Sequence, residues 1–587
     1  MNFITLTAIA LISLYLISRI FIRLQLSVAK HPSLKGHSKM SRRVANILPF
    51  FDYSQDTYFC TDGAPEDISK KREMSFERLK SNIVTQSPIT LARSASLENS
   101  VSDIQFTSQY RVPYPYRTLL PKEFKLGSVV EESKGTKIKD LDGHWRHDVS
   151  GSYGVNVFGY EFYKRCMENG FNKVNKLGPV LGSYHPLIKN NVDTIKKISG
   201  LDEVSFHMSG TEAVMQAVRL SRYHTGKTHL VRLCGAYHGW WDGVQPGVGN
   251  KRKVNDVYTL QDLSEKTLTV LKTRKDIACV LINPLQAFHP NSDTSSDVTL
   301  IASDRSTAFN KEAYTVWLKK IRKICSDKGI VLIFDEVFTG FRLSYRGAQG
   351  YFDVQADLVT YGKTLGGGLP VGVVAGKRQL MKRYKDNRPA NVSFARGTFN
   401  SHPYVMATMN EFLQTIEQAE YQQKYDSQEA IWNRRVTEFN QRLSDEKLPI
   451  KIDNMHSILS VIFIQPSRYN WVLQFYLRDA GLELSWIGSG RMIMSFDYTD
   501  IEFNQVINCF IGAAKAMENE GWWWSSDKLT NKNIKRQFLI DMLSAKIPVL
   551  KNWFTSPLIT TNDLKDINTL EKSDRLNNNH TTIKKAG

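Results

Sequence analysis

The chain opens on a long apolar run. Met1 to Ser18 carries no charged side chain and is mostly Leu, Ile, Ala and Phe, with Arg19 and Arg23 close behind. A membrane-crossing helix needs about 20 apolar residues, a length reached when Ile20, Phe21 and Ile22 are counted and Arg19 snorkels to the interface. A cleaved signal peptide would carry positive charge before the run and a small-residue cleavage site after it. Neither pattern is present. Residues 1–25 are therefore predicted to form an N-terminal transmembrane helix, with an interfacial anchor as the alternative. Arg19, Arg23, Lys30, Lys35, Lys39, Arg42 and Arg43 follow with no acid through Phe50, which puts the body of the chain on the cytoplasmic side.

Farther along, helical and strand patterns alternate. Lys311 to Lys328 has helical character and Gly329 can stop it. Val331 to Phe334 is a short continuous apolar run, which reads as an inner parallel strand, with Asp335 at its carboxyl end. The segment EVSFHMSGTEAVMQAVRLSRYHTG reads as a strand, a tight turn at Ser209, Gly210 and Thr211, and a helix ended by Gly226. Ser209 with Glu212 three positions on has the form of a capping box, and Ala213 and Ala217 thin one helix face for packing on a sheet. The expected fold is α/β. A small α+β domain begins over 106–177, a large domain with a mostly parallel sheet covers 178–391, and the chain returns over 392–524 to finish the small domain. Residues 26–105 are expected as a linker of uncertain order, with Ile47 to Phe59 able to pack locally. Residues 525–587 form a basic tail in which Ile534, Phe538, Met542 and Leu543 have helical spacing suited to docking on the body, with a membrane surface as the alternative. The Asn- and Lys-rich end of that tail has the composition of a disordered segment.

The candidate chemistry lies in DLVTYGKTLGGGLPVG, where Lys363 follows Asp335 by 28 positions (363 − 335). A lysine amine can form a Schiff base with the aldehyde of pyridoxal phosphate, and a carboxylate can keep its pyridine nitrogen protonated so that the ring withdraws electrons. The carboxyl end of an inner strand is where crevices open in such sheets. Gly366, Gly367 and Gly368 let backbone approach a bound group, and the helix start at Ser209 offers free amides to a phosphate. A P-loop nucleotidase is the competing reading. It fails because the glycine required five positions before Gly362 is Asp357, and because the acidic strand precedes the would-be phosphate loop.

From about Phe106 to about Gly521 the chain resembles the class III aminotransferases of the fold-type I pyridoxal phosphate enzymes. SGTEAVMQAVRLSR, GAYHGWWDG, LIFDEVFTGFR, YGKTLGGGLPVG and GTFNSHP occur in that family's order. The resemblance is nearest to glutamate-1-semialdehyde aminomutase and to aminotransferases of polyketide and nonribosomal peptide assembly lines, toward which SGSYGVNVFGY leans. It implies that Lys363 carries the cofactor and then moves the proton, and that Asp335 pairs with the ring nitrogen. Ser209, Gly210 and Thr211 would cup the phosphate, Tyr237, beside His238, would stack on one ring face with Val337 on the other, and Gln286 would reach the phenolic oxygen. Thr398 would serve the neighbouring subunit's phosphate, which implies a homodimer with shared sites. Tyr153 and Arg491 are candidate substrate contacts. Two departures stand out: Asn283-Pro284 replaces the usual glutamate-proline, and Arg146 stands where relatives carry an aromatic.

Composition adds bounds. With 587 residues and 42% hydrophobic content the chain can hold a two-part catalytic unit with extensions. Its six cysteines lack metal or redox spacing, which suits a reducing compartment, and no metal site is expected. The net charge of +19 suits anionic lipid or an acidic carrier protein. The basic residues are scattered without a recognition motif, which argues against nucleic acid. The expected activity is transfer of an amino group from a donor to a carbonyl acceptor by a ping-pong mechanism. The anchor suits an acceptor that is lipid-like or held on an acyl carrier protein. The alternatives are an aminomutase and a noncatalytic scaffold that keeps the fold.

Overall fold

The computed structural model describes residues 3–32, 34–98, 100–110, 112–119, 129–288, 309–485 and 490–546. The expectation for the chain end beyond residue 546 lies outside them. The centre is a seven-stranded sheet built from β1 (Glu203–His207), β2 (His229–Leu233), β3 (Val257–Leu260), β4 (Ile277–Ile282), β5 (Val331–Asp335), β6 (Leu358–Gly362) and β7 (Gly372–Gly376). Their spatial order is β1-β7-β6-β5-β4-β2-β3. All neighbours are parallel except β7, which runs antiparallel to β1 and β6. Every residue of β4 and β5 is buried, as strands covered by helices on both faces require. The register aligns Gly372 with both His207 and Gly362, and Asp335 with Thr360. The carboxyl ends of β1, β5 and β6 therefore open at one edge.

Both helices read from the sequence fall where their stop signals lie. Lys311–Lys328 ends on Gly329 at φ 59° and Gly210–Thr225 ends on Gly226 at φ 66°, the left-handed cap that glycine adopts without a Cβ clash. Ala213 and Ala217, on the second of these helices, are fully buried. The small domain holds a four-stranded sheet of Val130–Lys134, Lys137–Asp140, Trp145–Asp148 and Leu482–Glu483, and a three-stranded sheet of Ile450–Met455, Ile458–Phe463 and Arg491–Ile493. The helices Ala419–Asp445 and Asp500–Asn519 cover them.

Residues 26–105, read from the sequence as a linker of uncertain order, carry the helices Ser38–Ile47, Glu66–Gln86 and Pro88–Glu98. Tyr58, Phe59, Phe76 and Leu79 are buried in one core with Tyr116, Tyr469 and Trp522. Burial of that many aromatics supplies the stabilisation that a solvated linker would lack. Arg146 is explained here too. Its guanidinium donates to Ser87 Oγ (2.8 Å) and Asp140 Oδ2 (3.1 Å), tying this helical segment to the small-domain sheet. The helix Asn531–Lys546 docks on the body, as its spacing suggests: Ile534 is buried, Phe538 meets Phe51 and Tyr114, and Asp541 Oδ2 accepts from the Tyr53 hydroxyl (2.7 Å).

The N-terminal helix spans Phe3–Val28, and Thr7–Val28 is long and apolar enough to cross a membrane. Its foot is tied to the large domain. The Ala29 carbonyl accepts from Gln261 N (2.9 Å), and Leu26 packs on the main core.

Candidate active site

Asp335 ends β5 and is 4% exposed. Three donors converge on it: His238 Nδ1 reaches Oδ2 at 2.7 Å, while Val337 N and Thr360 Oγ1 reach Oδ1, each at 3.2 Å. The fixed amide and hydroxyl orient the carboxylate, and the imidazole supports it from below. Burial, partly offset by its bond to Asp335, lowers the pKa of His238, so the ring is neutral and its Nδ1–H is the donor. The next residue turns away. Glu336 accepts from the amides of Ala348 (2.6 Å) and Gln349 (3.1 Å), and burial pushes its carboxyl up to about 8. Of the Asp-Glu pair, only Asp335 faces the edge where the strands open.

Lys363 follows β6 directly, half-buried, with its backbone at φ 48°. That left-handed conformation is strained for a lysine and is the kind of local cost found at functional sites. Burial lowers its amine pKa. The charge of Asp335 opposes that shift and the charge of Arg342 adds to it. A depressed amine keeps more of the neutral, nucleophilic form. The Lys363 Nζ lies 5.9 Å from the centre of the Phe338 ring.

The turn Ser209–Thr211 meets these groups through close backbone approach. A Cβ on Gly210 would lie 2.6 Å from Val337 Cγ1, and one on Gly362 would lie 3.2 Å from that same atom and 3.7 Å from Gly210 Cα. Glycine at both positions lets the turn, the end of β5 and the lysine loop meet. The Ser209 hydroxyl caps the helix by accepting from Glu212 N (3.2 Å), but the Glu212 carboxylate reaches Met208 N (2.9 Å) instead of closing a full capping box on Ser209 N. The helix start keeps its first amides without intrahelical partners.

Tyr237 and Gln286 are joined by Asn283. The Asn283 Oδ1 accepts from Leu285 N (3.1 Å), capping the short turn Pro284–Ala287 that carries Gln286, and its Nδ2 donates to the Tyr237 carbonyl (3.0 Å). Both partners are backbone groups of fixed polarity, so the amide can point only one way. The Tyr237 ring is 58% exposed at the mouth of the site, and its hydroxyl pKa is raised by burial and by the Asp335 charge. Gln286 is fully buried, with Nε2 donating to the Cys234 carbonyl (2.9 Å).

The remaining candidates are placed differently. Tyr153, at φ 57° and 45% exposed, sits in the turn Gly151–Gly154. A Cβ on Gly154 would lie 2.3 Å from the Phe338 ring, and one on Gly151 would lie 2.6 Å from the Ile493 carbonyl. That turn therefore connects the Lys363 neighbourhood to the strand that Arg491 opens. Arg491 itself is half-buried in register with Ser460. Thr398 lies in an exposed turn beside Phe399 and makes no hydrogen bond to the other candidates among the described residues. Three participants escaped the sequence reading. Thr360 and Phe338 carry no local signal. Arg342, a lone arginine in an apolar run, could have been flagged. It is fully buried and donates to Ser457 Oγ (2.8 Å), the Met494 carbonyl (2.8 Å) and the Asn156 carbonyl (3.1 Å), pinning the small domain to the loop after β5.

Comparison with known proteins shows the family. The family model described as "Aminotransferase class-III" matches residues 121–511. The chain belongs to the class III aminotransferases. Among its relatives, the glutamate-1-semialdehyde 2,1-aminomutase of Citrifermentans bemidjiense is 29% identical over 364 residues, covering 58% of this chain and 78% of that one. The enzyme of the same name from Alkaliphilus oremlandii is 34% identical over 285 residues, covering 47% and 64%. A glutamate-1-semialdehyde aminomutase from Pseudomonas aeruginosa PAO1 superposes with a TM-score of 0.61 at 15% identity over 76% of this chain and 99% of that one, a likeness of fold alone. An omega-transaminase from Sphaerobacter thermophilus gives 0.57 at 21% identity over 66% and 91%. This class III aminotransferase has the fold-type I architecture and is a pyridoxal phosphate enzyme. Its residues fit that cofactor: the buried Asp335 carboxylate, the Lys363 amine and the glycine turn at Gly210, which packs on Val337 with no room for a Cβ, lie together, and Gln286 Oε1 is buried without a partner among the described residues.

Proposed function

We propose that this class III aminotransferase transfers an amino group from an amino donor to a carbonyl acceptor that is lipid-like or held on a carrier. The observation that carries the reading is the triply hydrogen-bonded Asp335 at the open edge of the sheet, with the half-buried Lys363 held at φ 48° at the end of the neighbouring strand. When bound, pyridoxal phosphate supplies an aldehyde to anchor amines and a ring that withdraws electrons from the adjacent carbon. Asp335 would hold the ring nitrogen, with His238 keeping Asp335 in place through its Nδ1 bond. Ser209, Gly210 and Thr211 would receive the phosphate at the helix start. Tyr237 and Val337 would contact the ring, and Gln286 would serve its phenolic oxygen. The Lys363 Nζ would take the proton from the substrate carbon that bears the amine and deliver it across the adjoining nitrogen, a role suited to an amine whose pKa is lowered by burial. Tyr153 and Arg491 line the acceptor side. The exposure of Thr398 suits a homodimer in which it serves the neighbouring subunit.

The anchor reading is part of the same proposal. At 1.5 Å per residue, the stretch from Phe3 to Phe21 ahead of the docked foot is about 28 Å long, close to the roughly 30 Å hydrocarbon core. The body would then sit on the cytoplasmic side, within reach of a lipid-like acceptor. Trapping the enzyme in its amine-loaded form and adding carbonyl compounds, free and carrier-bound, tests the acceptor through return of the visible absorption band. A wild type that stays colourless when loaded with cofactor would sink the whole reading. The aminomutase reading is favoured by the names of the relatives. It requires turnover of a single amino-aldehyde with no separate donor.

A further inference from the structure

The ten-residue helix Ser38–Ile47 has no buried residue. Met40 and Ile47, seven positions apart and so on one face, are 51% and 65% exposed, and Phe50 just beyond is 70% exposed. An amphipathic helix normally hides such a stripe against a core. Two observations say what covers this one. The first is position. The helix starts ten residues after Val28 closes the apolar helix, and the link is tight: a Cβ on Gly36 would lie 2.3 Å from the His31 carbonyl oxygen. Ser38–Ile47 is therefore held at the foot of the apolar helix.

The second observation is charge brought in from far along the chain. Arg42 Nη1 donates to the carbonyls of Asn250 (3.2 Å) and Arg252 (3.0 Å), a clamp across 208 and 210 residues of sequence. It fastens the exposed loop Lys251-Arg252-Lys253 against the helix. Among the described residues, Lys39, Arg43, Lys251 and Lys253 pair with no carboxylate, and Arg252 has only Asp242, at 4.0 Å. The crowding of cations reaches Lys30, whose pKa is lowered by burial and then by Lys39. Unpaired cations flanking exposed apolar side chains are the composition of an interfacial element on anionic lipid.

We infer that Ser38–Ile47 and the clamped loop Lys251–Lys253 form one docking surface for an anionic phospholipid bilayer. Met40, Ile47 and Phe50 enter the headgroup layer and the cations meet lipid phosphates. The surface adds a second contact to the tied foot of the apolar helix and fixes which face of the catalytic body meets the bilayer. The inference rests on the anchor reading for where the bilayer lies, but the two can fail separately.

The test uses the full-length holoenzyme in vesicles of phosphatidylcholine alone or with about 30% phosphatidylserine, a surface where each basic residue is worth roughly five-fold in partitioning. Amide hydrogen exchange over residues 38–50 and 250–254 should slow several-fold in the anionic vesicles. It should return to the neutral-lipid rate at about 1 M salt, where the screening length is about 3 Å. The exposed triple variant K251Q/R252Q/K253Q should lose the effect while keeping its cofactor absorption. Equal exchange in both lipids, or protection that survives the triple substitution, overturns the docking surface. Extraction of the protein from neutral vesicles by alkaline carbonate would sink the anchor alone. If the extracted protein still floats with anionic vesicles and not with neutral ones, the docking surface stands; if it floats with neither, both readings fall.

Discussion

Arg72 and Arg342 are both fully buried, yet their surroundings are opposites. Arg72, in the N-terminal helical segment, forms a two-pronged ion pair with Asp62 (2.7 and 2.9 Å). It also donates to the carbonyls of Phe59 (2.7 Å) and Gly521 (2.8 Å) and lies 4.5 Å from the centre of the Tyr469 ring. Arg342, beside the lysine loop, has neutral partners only, and burial pushes its guanidinium down to about 10. Its Nε and Gln286 Oε1 are buried with no partner among the described residues. A buried charge answered by an opposite charge fixes structure, whereas a buried cation held by neutral groups alone stays electrostatically open toward the site it borders.

The most severe way to test that contrast is Lys363→Ala. Activity should fall by about 10^4-fold, the upper range for losing a positioned acid-base group, and the visible absorption of the cofactor-loaded protein should vanish. Thermal stability should hold, because the substitution removes a half-buried amine that lacks an ion pair. The depressed pKa also sets a sign. In the cofactor-free protein, Lys363 should react with a small aldehyde faster than surface lysines at neutral pH, and its rate should level off at lower pH than theirs, as peptide mapping would read. Uniform labelling of all lysines would contradict the buried-amine geometry.

Asp62→Ala should do the reverse. It strands Arg72 as an uncompensated buried charge, which costs about 3–5 kcal/mol of stability and lowers the unfolding midpoint. The visible band should persist in whatever protein remains folded. If this variant lost the band before it lost its fold, the division between a structural region and a site would be wrong.

The sequence disclosed the site better than the N-terminal region for a physical reason. The strand ending in Asp335, the Ser209 turn and the Lys363 loop announce themselves through local signals: a continuous apolar run, a helix cap, glycines where backbones meet. The aromatics Tyr58, Phe59 and Phe76 sit among charged residues without helical or strand periodicity, and their partners Tyr469 and Trp522 lie about four hundred positions away. A linker and a docked helical layer share that composition until the partners are known. At the Asp-Glu pair the strand end singles out Asp335, while the place of Glu336, under the helix Gly347–Phe352, becomes visible only in the fold.

Asn283 offers the smallest and finest test, because one atom distinguishes its two tasks. In Asn283→Asp a carboxylate oxygen can still accept from Leu285 N, so the turn carrying Gln286 keeps its cap. The donor to the Tyr237 carbonyl is lost, and two oxygens are left facing each other. Losing one hydrogen bond and leaving its partner unanswered costs about 1–2 kcal/mol, so cofactor should be released roughly ten-fold faster in a dilution experiment followed by fluorescence. The pH dependence has a definite sign. A protonated carboxyl regains a donor, so retention should recover as pH falls through the pKa of the new acid, while the wild type shows no such recovery. If Asn283→Asp holds cofactor as the wild type does at neutral pH, the Tyr237 arm is positioned by its own packing. Asn283 would then be only a turn cap.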